Sequence, residues 1–248
     1  MKKKIFYVHT DFAQYYFFHK KKNDEPLTVL SKMLEDIKKI TKSNFIIPTY
    51  NFNFGKKKIF DYLNDKSEIG IFSEFFNKKF QNHRTFTPIW SDCFFKKRKF
   101  NIKKKVNAFG KKSIFDYIDK NNGYIISFGS KFSPTFIHFI ENCYLNNIPY
   151  RSEKKLLGHI KINKKKIPVE VQFHVKPRRS KIEYNLRKLE KVLVKEKLLK
   201  YKITHSNFSY SIINANKFKN FILKKFKKDP FYLLQNKPKM KFNLKKNK

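Results

Sequence analysis

The sequence predicts an α/β protein with a layered, mixed sheet. Three observations carry that expectation. Short apolar runs at residues 5–8, 45–47 and 124–128 end in polar or glycine turns, as buried strands do. Stretches with helical apolar spacing follow them, the clearest being Leu27, Leu30, Met33, Leu34, Ile37 and Ile40 after Pro26. Strands and helices then alternate along the chain, the pattern of layered α/β domains.

Taken in order, residues 5–8 form a buried strand closed by the polar turn His9-Thr10-Asp11. Pro26 starts a helix, because its missing N–H is no loss at the first helical position. Residues 45–48 form a strand that ends at Pro48-Thr49-Tyr50, and residues 51–66 are a polar and aromatic excursion. Gly70 precedes an amphipathic helix with Phe72, Phe75 and Phe76 on its apolar side and Ser73 and Glu74 on its polar side. Residues 87–95 read as a strand and 113–118 as a short helix. The strand at 124–128 then runs into Gly129-Ser130, and Ser133-Pro134 opens a helix carrying His138 and Glu141.

Residues 158–162 and 167–175 read as a hairpin turning at Asn163-Lys164. A long helix is expected over 180–200, a last strand region over 204–211, and a helix over 214–227 ended by Asp229-Pro230. The segments 54–62 and 109–117 echo each other, yet there is no third copy, so no solenoid is implied. Residues 1–236 are expected to form a single domain and 237–248 a basic, disordered tail.

Charge is the loudest feature of the composition: 58 Lys and Arg against 19 Asp and Glu give a formal +39 over 248 residues. Such a balance usually signals nucleic acid or an anionic surface. Here the cations are mostly lysine and lie throughout the chain. Phe, Asn, Ile and Tyr are abundant alongside them, while glycine is scarce. That is the imprint of AT-rich coding, and it makes most lysine runs solvated faces. No specific nucleic-acid partner is expected. The rival reading is a basic ribosomal-type protein, supported by residues 167–171 with Arg178-Arg179, which resemble a small-subunit hairpin.

Cys93 and Cys143 lack metal-ligand spacing and suit a reducing compartment, and no metal site is expected. Apolar residues 5–8 are too few for a signal sequence, and no run approaches the ~18 residues of a membrane span. A cytoplasmic location is expected.

His138 and Glu141 are three apart, so on a helix they share a face. Spacing alone leaves two readings open: a cooperating pair, or a core histidine beside a solvated carboxylate. A strand, a glycine turn and a helix start are where α/β proteins commonly place ligands.

Several segments, in order and at compatible spacings, resemble the aminoglycoside 3-N-acetyltransferase family. They are Val8-His9-Thr10-Asp11; the FIIPT of residues 45–49; the GIFSEFF of 70–76; Arg84-Thr85 with Pro88 and Ser91; Phe109-Gly110 with Ser113; residues 125–141; and Pro149-Tyr150-Arg151 through Gly158. The resemblance implies a three-layer α/β/α fold with a mixed central sheet and acetyl-CoA as co-substrate. It implies a small-molecule amine acceptor, and a homodimer is a further expectation. His138 falls on the family's helix histidine and Glu141 on the glutamate after it. They would be the general base and its partner, since an ammonium has no lone pair until a base takes its proton.

Thr10, Ser73, Arg84 and Thr85 become candidates for CoA contacts, and Gly129 and Ser130 for the same cleft and for oxyanion donors. His9 is expected in a core role at its strand end, and Arg151 and Lys154 as structural partners of the cleft. Two departures stand out. Thr87 and Trp90 replace the family's paired histidines, which weakens the case for an aminoglycoside acceptor and leaves a catalytically degenerate member as another reading. The DPFYLL of residues 229–234 is similar to endings of family members near surface-sugar genes, so the expected acceptor is an amino sugar of surface-polysaccharide synthesis or an aminoglycoside-like compound. The acid of the family's loop after the focal strand is also missing here, where residues 128–133 read FGSKFS.

Overall fold

The computed structural model describes residues 4–21, 24–144, 148–177 and 182–238. In chain order the elements are β1 (Phe6–Thr10), α1 (Phe12–His19), α2 (Pro26–Thr41), β2 (Phe45–Pro48), α3 (Phe54–Lys57), β3 (Ile59–Asp61), α4 (Ile71–Lys79), β4 (Asp92–Phe94) and β5 (Lys105–Asn107). There follow α5 (Ile114–Lys120), β6 (Tyr124–Phe128), α6 (Phe136–Cys143), β7 (Ser152–Ile162), β8 (Lys165–Val175), α7 (Leu186–Lys195), β9 (Leu199–Ile203), β10 (Ser209–Asn214) and α8 (Ala215–Lys228).

The main sheet has the order β4-β2-β1-β6-β10-β9. β1 runs parallel to β2 and β6, while β4, β10 and β9 are antiparallel additions, so the sheet is mixed as expected. Strand alternation divides the apolar residues between its two faces. Phe6, Val8, Phe45, Ile47, Ile126 and Phe128 pack on one side against residues of α1, α2 and α4, among them Tyr15, Met33 and Phe72. Ile5, Tyr7, Ile46, Ile125 and Ile213 face the other side, where α5, α6 and α8 contribute Phe115, Phe136, Phe218 and Ile222. Helices thus cover both faces and make the three layers.

A second sheet of order β3-β7-β8-β5 joins that second core through Phe60, Ile160, Val171 and Phe173. Its centre is the β7–β8 hairpin, which turns at the expected place with Asn163 at φ 53, a conformation asparagine tolerates. The hairpin is longer than expected because polar residues such as Glu153 and Lys154 keep pairing beyond the apolar pattern.

The helices at Pro26 and Gly70 form as expected, and Ser113 caps α5 by accepting from the Asp116 N–H. Elsewhere local signals give way to tertiary ones. The strand expected at 87–95 shrinks to Asp92–Phe94, since Ile89 sits at φ 69 and breaks the extension. The helix expected at 180–200 is Leu186–Lys195, opened by Asn185, whose side chain accepts from the Lys188 N–H. Residues 204–208 form the turn between β9 and β10, not a strand. The excursion at 51–66 contains α3 and β3, and α1 and β5 were not expected, although Asp11 caps α1 by accepting from the Gln14 N–H.

The echoed segments fold differently: Ile59-Phe60-Asp61 is a strand, whereas Ile114-Phe115-Asp116 is helical. Residues 239–248 of the basic tail, along with Arg178, Arg179 and the first two residues of the expected 180–200 helix, lie outside the described residues. No helix among the described residues is long and apolar enough to cross a membrane.

Candidate active site

α6 starts two residues later than the Ser-Pro signal suggests. Thr135 is its cap residue and makes no side-chain cap. The Thr135 backbone N–H instead donates to His9 Nε2 at 3.4 Å, which ties the helix start to the end of β1. His138 and Glu141 then lie on the same helical face, with His138 Nδ1 3.2 Å from Glu141 Oε2.

Glu141 is wholly buried, so it is no solvated carboxylate. Its Oε1 accepts from the Tyr184 hydroxyl at 2.6 Å and the Tyr150 hydroxyl at 3.0 Å. Its Oε2 accepts from Arg151 Nε at 3.0 Å and lies 3.2 Å from His174 Nε2. The Arg151 guanidinium also donates to Tyr184 Oη. Burial pushes the Glu141 carboxyl up, but hydrogen bonds from the two histidines and the Arg151 charge outweigh it and hold the group well below the usual carboxylate range. The site is therefore a buried, ionised carboxylate saturated with donors.

The two histidines around it differ. His174 is buried on β8, and desolvation, stronger than the pull of Glu141, lowers it to about 4. Neutral His174 uses Nε2 toward Glu141, and its Nδ1 is buried without a hydrogen-bond partner among the described residues. The His138 side chain keeps 29% exposure. Glu141 Oε2, at 3.2 Å, is nearer to His138 Nδ1 than Arg151 Nη2 at 3.4 Å or Tyr184 Oη at 3.5 Å. The tautomer whose Nδ1–H donates to the carboxylate leaves Nε2 with the free lone pair.

His138, Glu141 and His174 place one ligand atom each within 4.8 Å of one another, a triad that sequence spacing did not reveal. Its chemistry suits hydrogen bonding better than a metal. A cation there would have to displace the Arg151 guanidinium and both tyrosine hydroxyls from Glu141. Tyr150 falls within the Pro149-Tyr150-Arg151 segment of the resemblance without being singled out by it, whereas His174 and Tyr184 had no local signal and are marked only by their convergence in the fold.

A second polar cluster lies on the same side of the main sheet. The Tyr7 hydroxyl donates to Asp92 Oδ1 at 2.6 Å and lies 2.6 Å from the Tyr50 hydroxyl. Burial raises Asp92 to about 8, against the opposing effects of the Tyr7 hydrogen bond and Arg84. Burial also lowers His9 to about 4, which leaves it a neutral acceptor for Thr135 and agrees with a core role. Asp92 lines a cavity of about 520 Å³ together with Thr85, Thr87, Trp90 and part of the 98–112 segment. One ring separates this cavity wall from the histidine: Phe109 is 4.9 Å from Trp90 and 5.0 Å from His138.

The other expected site residues divide into two groups. Thr10 ends β1, and Gly129 and Ser130 follow β6, the parallel neighbour, so all three share the carboxyl edge of the sheet near the start of α6. Gly129 has φ 73, and a Cβ there would meet a Phe208 ring carbon at 2.9 Å. Ser130 Oγ is buried and has no hydrogen-bond partner among the described residues.

Ser73, Arg84 and Thr85 are interior. Ser73 is buried on α4 beside Phe72. The Thr85 hydroxyl accepts from the Asp92 N–H at 3.0 Å, although the residue also borders the cavity. Arg84 is 0% exposed and braces three segments. Its Nε donates to Ser91 Oγ at 2.9 Å, and its terminal nitrogens donate to the carbonyls of Asp65 at 2.6 Å and Thr49 at 2.8 Å. It has no exposed face for a phosphate, which corrects its expected role as a CoA contact. Arg151, expected as a structural partner, meets that expectation at the heart of the site.

The family model for aminoglycoside 3-N-acetyltransferase matches residues 33–227. Among solved structures, the chain is similar to AAC-IIIb in its binary complex with CoASH, at 11% identity and TM-score 0.69, covering 95% of this chain and 93% of that one. It is similar to the YokD protein from Bacillus subtilis at 14% identity and TM-score 0.65, covering 91% and 92%. It is also similar to the apoenzyme of aminoglycoside acetyltransferase AAC(3)-IVa at 14% identity and TM-score 0.64, covering 95% and 86%. No curated protein matches the chain.

Proposed function

The chain belongs to the aminoglycoside 3-N-acetyltransferase family, a family of acetyl-CoA-dependent N-acetyltransferases, and we propose that it acetylates the amine of an amino sugar used in surface-polysaccharide synthesis. The observation that carries the chemistry is the half-exposed His138 held by the buried, ionised Glu141. Glu141 fixes the Nδ1–H tautomer, leaves Nε2 as the basic atom, and stabilises the imidazolium that forms.

The neutral amine attacks the thioester carbonyl and forms the new C–N bond. His138 Nε2 takes the proton that the nitrogen sheds. The C–S bond breaks, and the proton passes to the leaving CoA thiolate, giving amide and free thiol. Tyr150, Tyr184, Arg151 and His174 are positioning residues that act through Glu141. The unpartnered Ser130 Oγ and the backbone N–H groups after Gly129 supply donors for the oxyanion at the carboxyl edge of β6. Thr10 and Gly129 flank the donor cleft on the same edge.

The choice of an amino sugar over an antibiotic rests on Trp90. It stands where the family resemblance places a histidine, and it packs on Phe109 and Phe173 at 4.9 and 4.6 Å, giving that wall an aromatic surface. Acetyl transfer from acetyl-CoA to a panel of free and nucleotide-linked amino sugars tests the proposal. Acceptor-dependent thiol release is expected; a protein that neither binds CoA nor releases thiol would refute it.

A further inference from the structure

The cavity of about 520 Å³ is within the size range of small-molecule sites. Its walls carry Arg98, Lys99, Lys103, Lys105, Lys111 and Lys112. None of the six makes an ion pair with an acid among the described residues. Arg98 is held in place: its guanidinium lies 5.2 Å from the Phe94 ring centroid and 5.0 Å from that of Tyr117. Stacking of this kind fixes the plane and leaves the N–H edges free, the arrangement that receives phosphate in bidentate fashion. Arginine is rare in this lysine-rich chain, so the residue is not explained by the bias that explains the lysines. Trp90, Phe100 and Tyr117 add aromatic surface on which a planar base can stack.

We propose that this cavity binds a phosphate-bearing, nucleotide-like portion of the acceptor and so restricts the enzyme to anionic amino compounds. The inference rests on the acetyltransferase reading above. The donor side is assigned to the edge formed by Thr10, Gly129 and Ser130, none of which lines the cavity. Thr85, another expected CoA contact, does border it and has its hydroxyl engaged by the Asp92 N–H. The cavity is one ring, Phe109, away from His138. An acceptor anchored by its phosphates can therefore extend its amine past Trp90 to the base. The lining also carries the carboxyl groups of Glu170 and Asp92, but six cations against two acids leave the space net positive, so a polycationic aminoglycoside is repelled from it.

Trp90 is the single tryptophan, so its fluorescence reports directly on this cavity. The full chain is titrated with uridine diphosphate, CoA and gentamicin, with CoA binding measured separately by calorimetry. Uridine diphosphate is expected to change Trp90 emission and to bind without displacing CoA. Arg98→Gln is expected to weaken it about tenfold or more while CoA affinity stays within twofold. Lys103→Gln and Lys111→Gln, both remote from the core, carry the test if Arg98→Gln folds poorly. Three results overturn the inference: no response to uridine diphosphate while CoA still binds, mutual displacement of the two ligands, or gentamicin binding more tightly than the nucleotide. Absence of CoA binding would instead strike the acetyltransferase reading itself.

Discussion

At the scale of single residues, the site is a contrast between two buried carboxyls. Glu141 accepts from four side chains besides His138 and is held ionised; Asp92 is pushed up to about 8 by burial, which outweighs the Tyr7 hydrogen bond and the Arg84 charge. The signs of their contributions to stability are opposite. Glu141, depressed in the folded state, stabilises above the ordinary carboxylate range, and that contribution is lost on acidification. Asp92, raised in the folded state, favours folding at low pH, and its contribution falls as the pH rises from about 4 to about 8. Melting temperatures of Asp92→Asn and wild type should thus diverge in favour of the variant as the pH rises from about 4 to about 8; a constant gap would contradict the assignment.

Removing Glu141 as Glu141→Gln leaves Arg151 buried without its counter-charge. It should cost about 3–5 kcal/mol in denaturant unfolding. His138→Ala should lower kcat by about 10²–10⁴ with the melting temperature nearly unchanged, because the ring is partly exposed and acts on a proton rather than on the core. Of this site, the i, i+3 pair was legible from helical spacing. His174, Tyr150 and Tyr184 were not, since they are brought in from β8 and from loops 33, 9 and 43 residues away from Glu141.

At the scale of elements, the sequence was most readable where one local rule dominated. Pro26 starts α2 and Ser113 caps α5, and each does so by a mechanism contained in its own turn. The hairpin was visible for a similar reason, its turn being set by Asn163. Ser133-Pro134 misled because the Thr135 N–H is claimed by His9, a residue 126 positions away. Arg84 misled in the other direction: a basic residue in a polar motif reads as a ligand contact, and the fold makes it an interior brace.

The hairpin packs against α3 at Gly158. A Cβ on Gly158 of β7 would lie 2.3 Å from the Lys58 carbonyl oxygen and 2.7 Å from the Phe54 ring. Gly158→Ala should therefore destabilise by about 1–3 kcal/mol through overpacking, read as a lower urea midpoint. An unchanged midpoint would mean that the second sheet is not packed on α3 this closely.

At the scale of the whole molecule, the layered fold was legible because both faces of the central sheet carry their own apolar alternation. The second sheet was not, because β3 and β5 are three-residue strands fixed by pairing with the hairpin and not by pattern. The +39 charge says less about function than it first suggests. Any affinity for nucleic acid should be of the phosphate-screening kind and fall steeply between about 50 and 200 mM salt. Gel-shift titrations across that range check this, and a flat salt response, or no binding at physiological salt, would discard the ribosomal-type reading.

The central claim is that His138, set by Glu141, removes a proton from an amine that attacks acetyl-CoA. It is tested most directly by acceptor-dependent release of free CoA thiol from wild type and His138→Ala, with CoA affinity measured on both. The account predicts release by wild type, a loss of about 10²–10⁴ in the variant, and equal CoA binding. Turnover by His138→Ala within a few-fold of wild type would contradict it.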